Sequence, residues 1–312
     1  MTAETDALTT IQDLVRWGAS RFNEARLYFG HGTDNAFDES AWLVAHALHM
    51  PSERIGVDRA CRVTPGERAA VLSLLERRIA ERRPAAYLTG RAWFAGLEFA
   101  VDDSVMIPRS PLAELIVEGF SPWLDPLEIS RVLDLCTGSG CIGLAVAAHL
   151  PDVDVDLADI SPAALRIAAQ NRALHGLEDR VRLIESDLFA AIGEPVGELA
   201  YDVIVSNPPY VGAAEMESLP DEYRHEPRLA FAAGETGLDL VMRILRDAPD
   251  YLSDDGILLV EVGNTDATLM RRFANVPFTW IDFEHGGSGV FLLRRDQLLE
   301  YHPLFAEAVA DL

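Results

Sequence analysis

Leu133-Asp134-Leu135-Cys136-Thr137-Gly138-Ser139-Gly140-Cys141-Ile142-Gly143 is the stretch that decides the fold. It ends a short apolar strand, Val132–Cys136, and opens a helix over Ile142–Leu150. Gly138, Gly140 and Gly143 spell G-x-G-x-x-G at that strand-to-helix turn. Asp159 closes the next strand, Val153–Ala158, about 20 residues on, where a ribose-binding carboxylate belongs. The glycines let a nucleotide approach the backbone, and Asp159 can accept hydrogen bonds from both ribose hydroxyls. Taken alone the pattern suits a nicotinamide dehydrogenase equally well. The plainer alternative is a tight turn, with Asp159 capping the helix that starts at Ser161-Pro162.

Outward from this turn, strands and helices alternate. Pro162–Leu174 and Leu238–Leu252 read as helices; Val181–Glu185, Tyr201–Ser206 and Gly256–Val262 read as strands. Phe278–Phe283 and Val290–Leu293 form a final strand pair around Gly286-Gly287. Such alternation predicts a parallel sheet covered by helices, with ligands at the carboxyl ends of the strands. Trp93, Phe94, Leu97, Phe99 and Val101 around Gly96 predict a β-hairpin. Residues 1 to about 90 read as a helical bundle. Leu8, Ile11, Leu14, Val15, Phe22 and Leu27 make one stripe, and Ala41, Leu43, Val44, Ala47 and Leu48 a second. Thr33, Asp34 and Asn35 are each candidate caps for that second helix. Thr64-Pro65-Gly66-Glu67 starts a third, which runs to Arg83-Pro84. The expected division is therefore 1–91 helical, 92–110 a β-hairpin linker and 111–312 the α/β domain.

Asn207-Pro208-Pro209-Tyr210 follows the apolar strand Val203-Ile204-Val205 after one residue, Ser206. Two prolines after a strand fix an extended, rigid turn. The turn sits at the carboxyl edge of the sheet, beside the glycine loop. A planar amine with a delocalised lone pair is a poor nucleophile, and this turn offers what it lacks. The Asn207 side-chain oxygen and the Pro208 carbonyl can accept its two N–H bonds, orient the nitrogen and favour a pyramidal, cationic state. Tyr210 supplies a flat wall for a planar group. The plainer alternative is a surface turn with a buried tyrosine.

Charge and composition bound the remaining possibilities. The chain of 312 residues is 49% hydrophobic and carries a net charge of −24. All 26 of its basic residues are Arg. Residues 1–92 hold 12 Arg against 12 acids, and residues 93–312 hold 14 against 38. The second part should repel nucleic-acid phosphates and attract basic partners. A GC-rich or salt-adapted genome produces the same composition, and both readings stand. No apolar run nears the roughly 18 residues of a membrane span. Met1 to Asp6 has no basic region, so no signal peptide is read there. Three cysteines, Cys61, Cys136 and Cys141, exclude a disulfide scaffold, and Cys136 and Cys141 lack the His pair of a metal site. A soluble, cytoplasmic protein without a metal is expected. The Arg77, Arg78, Arg82 and Arg83 cluster, interleaved with Glu76 and Glu81, reads as a solvated helix face.

The glycine loop, Asp159 and Asn207-Pro208-Pro209-Tyr210 together resemble the S-adenosylmethionine-dependent amino methyltransferases, which include adenine and protein-glutamine enzymes. Flanking segments resemble the protein glutamine N(5)-methyltransferases. They are Pro84–Gly90, Ile107-Pro108-Arg109, Ser186-Asp187-Leu188-Phe189 and Glu226-Pro227-Arg228-Leu229-Ala230. Phe29–Ala36, Pro108–Glu114 and Glu222–Pro227 are similar to the branch acting on large-subunit ribosomal protein L-three, as is Cys136 where the wider family has Gly. The resemblance implies a class I, Rossmann-like methyltransferase domain with a seven-stranded sheet behind a small helical domain. It implies S-adenosylmethionine as cofactor, held by Thr137, Gly138, Ser139, Gly140, Cys141, Asp159, Ile160, Asp187, Leu188 and Asn207, with Asp187 on the adenine amino group. It implies transfer at Asn207, Pro208, Pro209 and Tyr210, and a protein substrate rather than DNA or a membrane. Glutamine methylation of release factors, adenine methylation and a non-catalytic ribosome-assembly binder are the alternatives. His31 and His225 read as structural residues or substrate contacts.

Overall fold

The structure, a computed structural model, describes residues 3–51, 54–193 and 200–312. Met1 and Thr2 of the stretch read for a signal peptide lie outside the described residues. The chain forms two compact units. The first comprises Met1–Ala92, Val101–Asp103 and Pro220–Glu226; the second comprises Trp93–Ala100, Ser104–Leu219 and Pro227–Leu312.

In the first unit the helices start where the caps predict. Ile11–Glu24 opens on a reciprocal capping box of Thr10 and Asp13, and Pro65–Glu81 on one of Thr64 and Glu67. Of the three candidate caps before Ala36–Ala47, Asn35 is the one used: its side chain accepts from Phe37 N at 3.0 Å and Asp38 N at 2.9 Å. Leu14, Phe22, Leu43, Val71 and Leu75 make a core that excludes solvent. Gly18 lets the helices close, since a Cβ there would lie 2.2 Å from Ser40 Oγ.

The arginine cluster departs from a solvated face. Arg77 is exposed and pairs with Glu81, but Arg78 is fully buried. Arg78 donates to Glu39 at 2.7 Å and to the Tyr28 carbonyl at 3.1 Å, and lies 3.7 Å from Glu222. Glu222 accepts from the Tyr28 N–H at 3.0 Å and pairs with Arg82 at 2.8 Å. Burial holds the Glu39 carboxyl above its usual range even beside Arg78. His31 is buried with Nε2 2.9 Å from Glu226, and His225 Nε2 meets the Glu81 carbonyl at 3.0 Å. Segment 220–226 is thereby built into the helical unit, which a contiguous division at residue 91 leaves out.

The second unit contains a seven-stranded sheet, and a two-stranded ribbon runs across the sequence boundary. The ribbon is β1 (Arg91–Phe94) and β2 (Leu97–Ala100), turned by Ala95 and Gly96, both at positive φ. It is anchored rather than free. Ala100 N donates to Asn171 Oδ1 at 2.7 Å, and the buried Asn171 amide donates to the carbonyls of Ala100 and Ser139. The sheet strands are β3 (Arg131–Leu135), β4 (Asp154–Asp159), β5 (Val181–Glu185), β6 (Tyr201–Ser206), β7 (Leu252–Glu261), β8 (Thr279–Trp280) and β9 (Val290–Arg294). Their order is β5-β4-β3-β6-β7-β9-β8. The first five are parallel, and β9 runs antiparallel to both β7 and β8.

Several elements differ from the expected pattern: the strand expected over Phe278–Phe283 spans Thr279–Trp280, and a helix not expected forms over Asp266–Arg272. The helix expected to reach Leu252 spans Asp239–Asp247, and Leu252 already belongs to β7, because Pro249 interrupts the helical run. A helix over Arg295–Ala310 follows β9 without a loop, and no stop signal in the sequence marks its start.

The buried Arg78 network gives a stability prediction. Arg78→Leu leaves Glu39 and Glu222 buried without their shared cation, so unfolding free energy should fall by about 3–5 kcal/mol. Urea denaturation checks this, and a loss below about 1 kcal/mol would show that the carboxyls do not depend on Arg78.

Candidate active site

The chain leaves β3, builds outward through β4 and β5, and returns to β6 on the other side of β3. Connections from the carboxyl ends of β3 and β6 therefore diverge and leave a crevice between them. Ser206 Oγ, at the end of β6, donates to the Leu135 carbonyl at the end of β3 over 2.8 Å, fixing the two rims.

The loop over this crevice is held by Asp134. This acid in an otherwise apolar strand is fully buried. One carboxyl oxygen accepts from Thr137 Oγ1 at 2.5 Å and from Gly143 N at 2.9 Å, so it spans the loop from one end to the other. Burial pushes its pKa up to about 7, against the pull of those two donors. Cys136, Gly138 and Gly140 all take positive φ. Cys136 at φ 59° occupies a position that suits glycine, at a cost of roughly 1–2 kcal/mol. Burial, with Asp159 and Asp134 nearby, raises the Cys136 thiol, and Cys141 is also raised, so neither is a thiolate nucleophile at neutral pH.

The three motif glycines do different jobs. A Cβ on Gly138 would meet nothing within 4 Å, so its face is open to a ligand. A Cβ on Gly140 would press on Leu144 at 2.9 Å, and one on Gly143 on Leu157 at 2.2 Å. Those two glycines bring helix Cys141–His149 down onto the sheet.

A cavity of about 280 Å³ opens over this loop. Thr137, Gly138, Ser139, Cys141, Asp159, Ile160, Asp187, Leu188, Asn207 and Pro209 line it. Gly140, Pro208 and Tyr210 are not among its lining residues. Asp159 Oδ2 accepts from Gly138 N and Oδ1 from Ser161 N, each at 2.8 Å, and Asp159 lines the cavity as an acceptor suited to a diol. Burial raises the Asp159 carboxyl, and the backbone N–H groups of Ser161, Gly138 and Ile160 offset part of that rise. Asp187 stands on the wall paired with Arg243 at 2.9 Å. A bare, glycine-floored face beside a diol-ready carboxylate fits the ribose of an adenosyl cofactor. Among the described residues no group of three or more His, Cys, Asp or Glu side chains is placed to hold a metal ion.

Sequence reasoning missed several residues. Arg243 and Leu240 come from helix Asp239–Asp247 and carry no local motif. Ser104, Val105 and Met106 enter from the segment after the ribbon. Two acids were findable. Asp134 interrupts an apolar strand, and Glu261 closes β7 as Asp159 closes β4.

Residues 114–219 match the family described as methyltransferase small domain, and residues 13–90 that described as PrmC N-terminal domain. The ribosomal protein uL3 glutamine methyltransferase of Xanthomonas campestris pv. campestris is 49% identical over 306 residues, 98% of this chain and 97% of that protein. The protein of the same description from Bordetella pertussis is 49% identical over 292 residues, 93% of this chain and 97% of its own. That from Xylella fastidiosa is 48% identical over 309 residues, 99% and 97% respectively.

Asp159→Ala removes the candidate diol acceptor and frees the backbone N–H groups of Gly138, Ile160 and Ser161. Affinity for S-adenosylmethionine should weaken by about thirtyfold or more, corresponding to roughly 2 kcal/mol of charge-assisted hydrogen bonding. Titration calorimetry reads this directly; unchanged affinity would place the ribose elsewhere.

Proposed function

The chain belongs to the ribosomal protein uL3 glutamine methyltransferases, and we propose that it methylates the side-chain amide nitrogen of a glutamine in ribosomal protein uL3. The observation that carries the mechanism is that Asn207 lines the same cavity as Asp159 and the glycine loop. S-adenosylmethionine, the cofactor of this methyltransferase fold, supplies an electrophilic methyl group when bound. Thr137, Gly138 and Ser139 would line its binding face, Asp159 would take the ribose, and Asp187 and Leu188 would meet the adenine.

Asn207 does the orienting work at the other end. Its side-chain oxygen accepts an N–H of the target amide, turns the lone pair out of conjugation and stabilises positive charge as it develops on nitrogen. Pro208 and Pro209 hold that oxygen at the strand end. The expected second acceptor, the Pro208 carbonyl, belongs to a buried residue off the cavity wall, so this reading leans on Asn207. No side-chain base is required, because a methylated amide nitrogen that still carries its proton is strongly acidic and releases it to water.

The protein substrate agrees with the charge. Residues 93–312 carry 14 Arg against 38 acids, a surface that draws in a basic ribosomal protein and repels nucleic acid. Among the described residues no helix is long and apolar enough to cross a membrane. We place the protein in the cytoplasm, where ribosomal proteins are made.

Asn207→Ala should lower the single-turnover rate by about a hundredfold, the scale for losing one preorganised partner of a developing charge. Cofactor affinity should change little. Transfer at the parent rate with cofactor saturating would move the transfer site away from Asn207. Association with uL3 should slow as salt rises toward 0.15 M, where screening sets in at about 8 Å. Stopped-flow at several ionic strengths checks this. Methylation of duplex DNA adenine at the rate seen with uL3 would overturn the choice of substrate.

A further inference from the structure

Glu261 is a buried carboxyl that the mechanism above does not use. It is the last residue of β7, the strand paired with β6 on the side away from β3. Its Oε2 accepts from Ser110 Oγ at 2.5 Å, and its Oε1 accepts from Tyr210 Oη at 3.4 Å. Ser110 lines the cavity, and its oxygen also accepts from Leu112 N at 3.2 Å. Tyr210 ends the turn that begins at Asn207. Its ring lies so close to Gly263 that a Cβ there would fall 2.6 Å from the ring carbon Cε2. One carboxyl thus connects a wall of the cavity to the far end of the transfer turn.

We propose that Glu261 is a positioning residue for the amide-transfer site: its carboxylate holds Ser110 and Tyr210 at once and so ties the Asn207–Tyr210 turn to the cavity lining at Ser110. The inference rests on the reading of Asn207 given above. A carboxylate is suited to the task because it accepts from two hydroxyls and donates to neither. An amide, or a protonated carboxyl, must present a donor to one of them. Ser110 already receives the Leu112 N–H, and the phenol of Tyr210 is the poorer acceptor, so the pair cannot be kept unchanged. The groups facing Glu261 are these two hydroxyls and, as the charged one, Arg109. Burial pushes the Glu261 pKa up to about 7, against Ser110, Tyr210 and Arg109, which all lower it. The ionised form that holds both hydroxyls is therefore gained as pH rises through about 7 and lost below it.

The test compares the parent with E261Q, S110A and N207A, using uL3 as substrate, and adds 19F NMR of 3-fluorotyrosine-labelled protein. The Tyr210 resonance is identified by its loss in Y210F. With E261Q, kcat should fall about tenfold, while KM for uL3 and calorimetric cofactor affinity stay within about twofold. The parent rate should rise with pH through about 7, and the Tyr210 resonance should shift over the same range. Both dependences should vanish in E261Q. S110A leaves the carboxylate in place and covers the case of an unstable E261Q. It should slow transfer about threefold and move the midpoint of the Tyr210 shift upward, since it removes a donor to the ionised form. A parent rate in E261Q, a Tyr210 titration that persists in E261Q, or an S110A midpoint at the parent value would overturn the proposal. If N207A also turns over at the parent rate, the transfer site itself is misplaced; if only E261Q does, Glu261 alone is.

Discussion

The site depends on the pairing of one strand, β3, with a neighbour on each side that the chain reaches in opposite directions. Because β4 and β6 flank β3, the segments leaving β3 and β6 cannot cover the same ground, and a gap at the carboxyl edge is unavoidable. Everything chemical in the second unit lies at that edge. The glycine loop follows β3, Asp159 ends β4, Asp187 follows β5, Asn207 follows β6 and Glu261 ends β7. Five consecutive parallel strands each place one candidate group there, spaced by the strand separation of roughly 4.8 Å.

The acids at this edge have distinct tasks set by their surroundings. Asp134 is sealed below the loop and has two donors for one of its oxygens, so it shapes the turn without meeting a ligand. Asp159 is held by backbone N–H groups and lines the cavity. Asp187 is tempered by Arg243. A cationic cofactor benefits from this negative edge, and a neutral amide substrate is not repelled by it. Neither raised cysteine is a thiolate nucleophile at neutral pH.

In the first unit the organising feature is a buried network rather than a cavity. Arg78, Arg82, Glu39, Glu222, His31 and Glu226 join four stretches of chain, the latest of which is about 140 residues from the nearest other member. Buried charges contribute little net stability but strongly disfavour any arrangement that leaves one unpaired. The network therefore specifies where segment 220–226 sits. That segment continues directly into Pro227, Leu229 and Ala230, which line the cavity.

Much of this was legible in the sequence because local signals there are strong. Period and turn chemistry mark the alternation of strands and helices. Thr64 and Glu67 announce a helix start, and the glycine spacing with Asp159 and Asn207 marks the edge at which the cavity opens. What the sequence by itself determined, then, is the α/β class and the strand edge at which the cavity opens, since each rests on residues close together in the chain. Tertiary structure alone decided which charges are buried and which glycines face a ligand. Arg78 reads as one of a solvated row until Glu39 and Glu222 arrive from distant segments. Gly140 looks equivalent to Gly138 until Leu144 and Ala168 close on it. Glu261 gains a role only when Ser110 and Tyr210, separated from it by 151 and 51 residues, converge on one carboxyl. The physical reason is common to all three: burial and hydrogen-bond partnership belong to the packed neighbourhood of a side chain, and local sequence does not encode that neighbourhood.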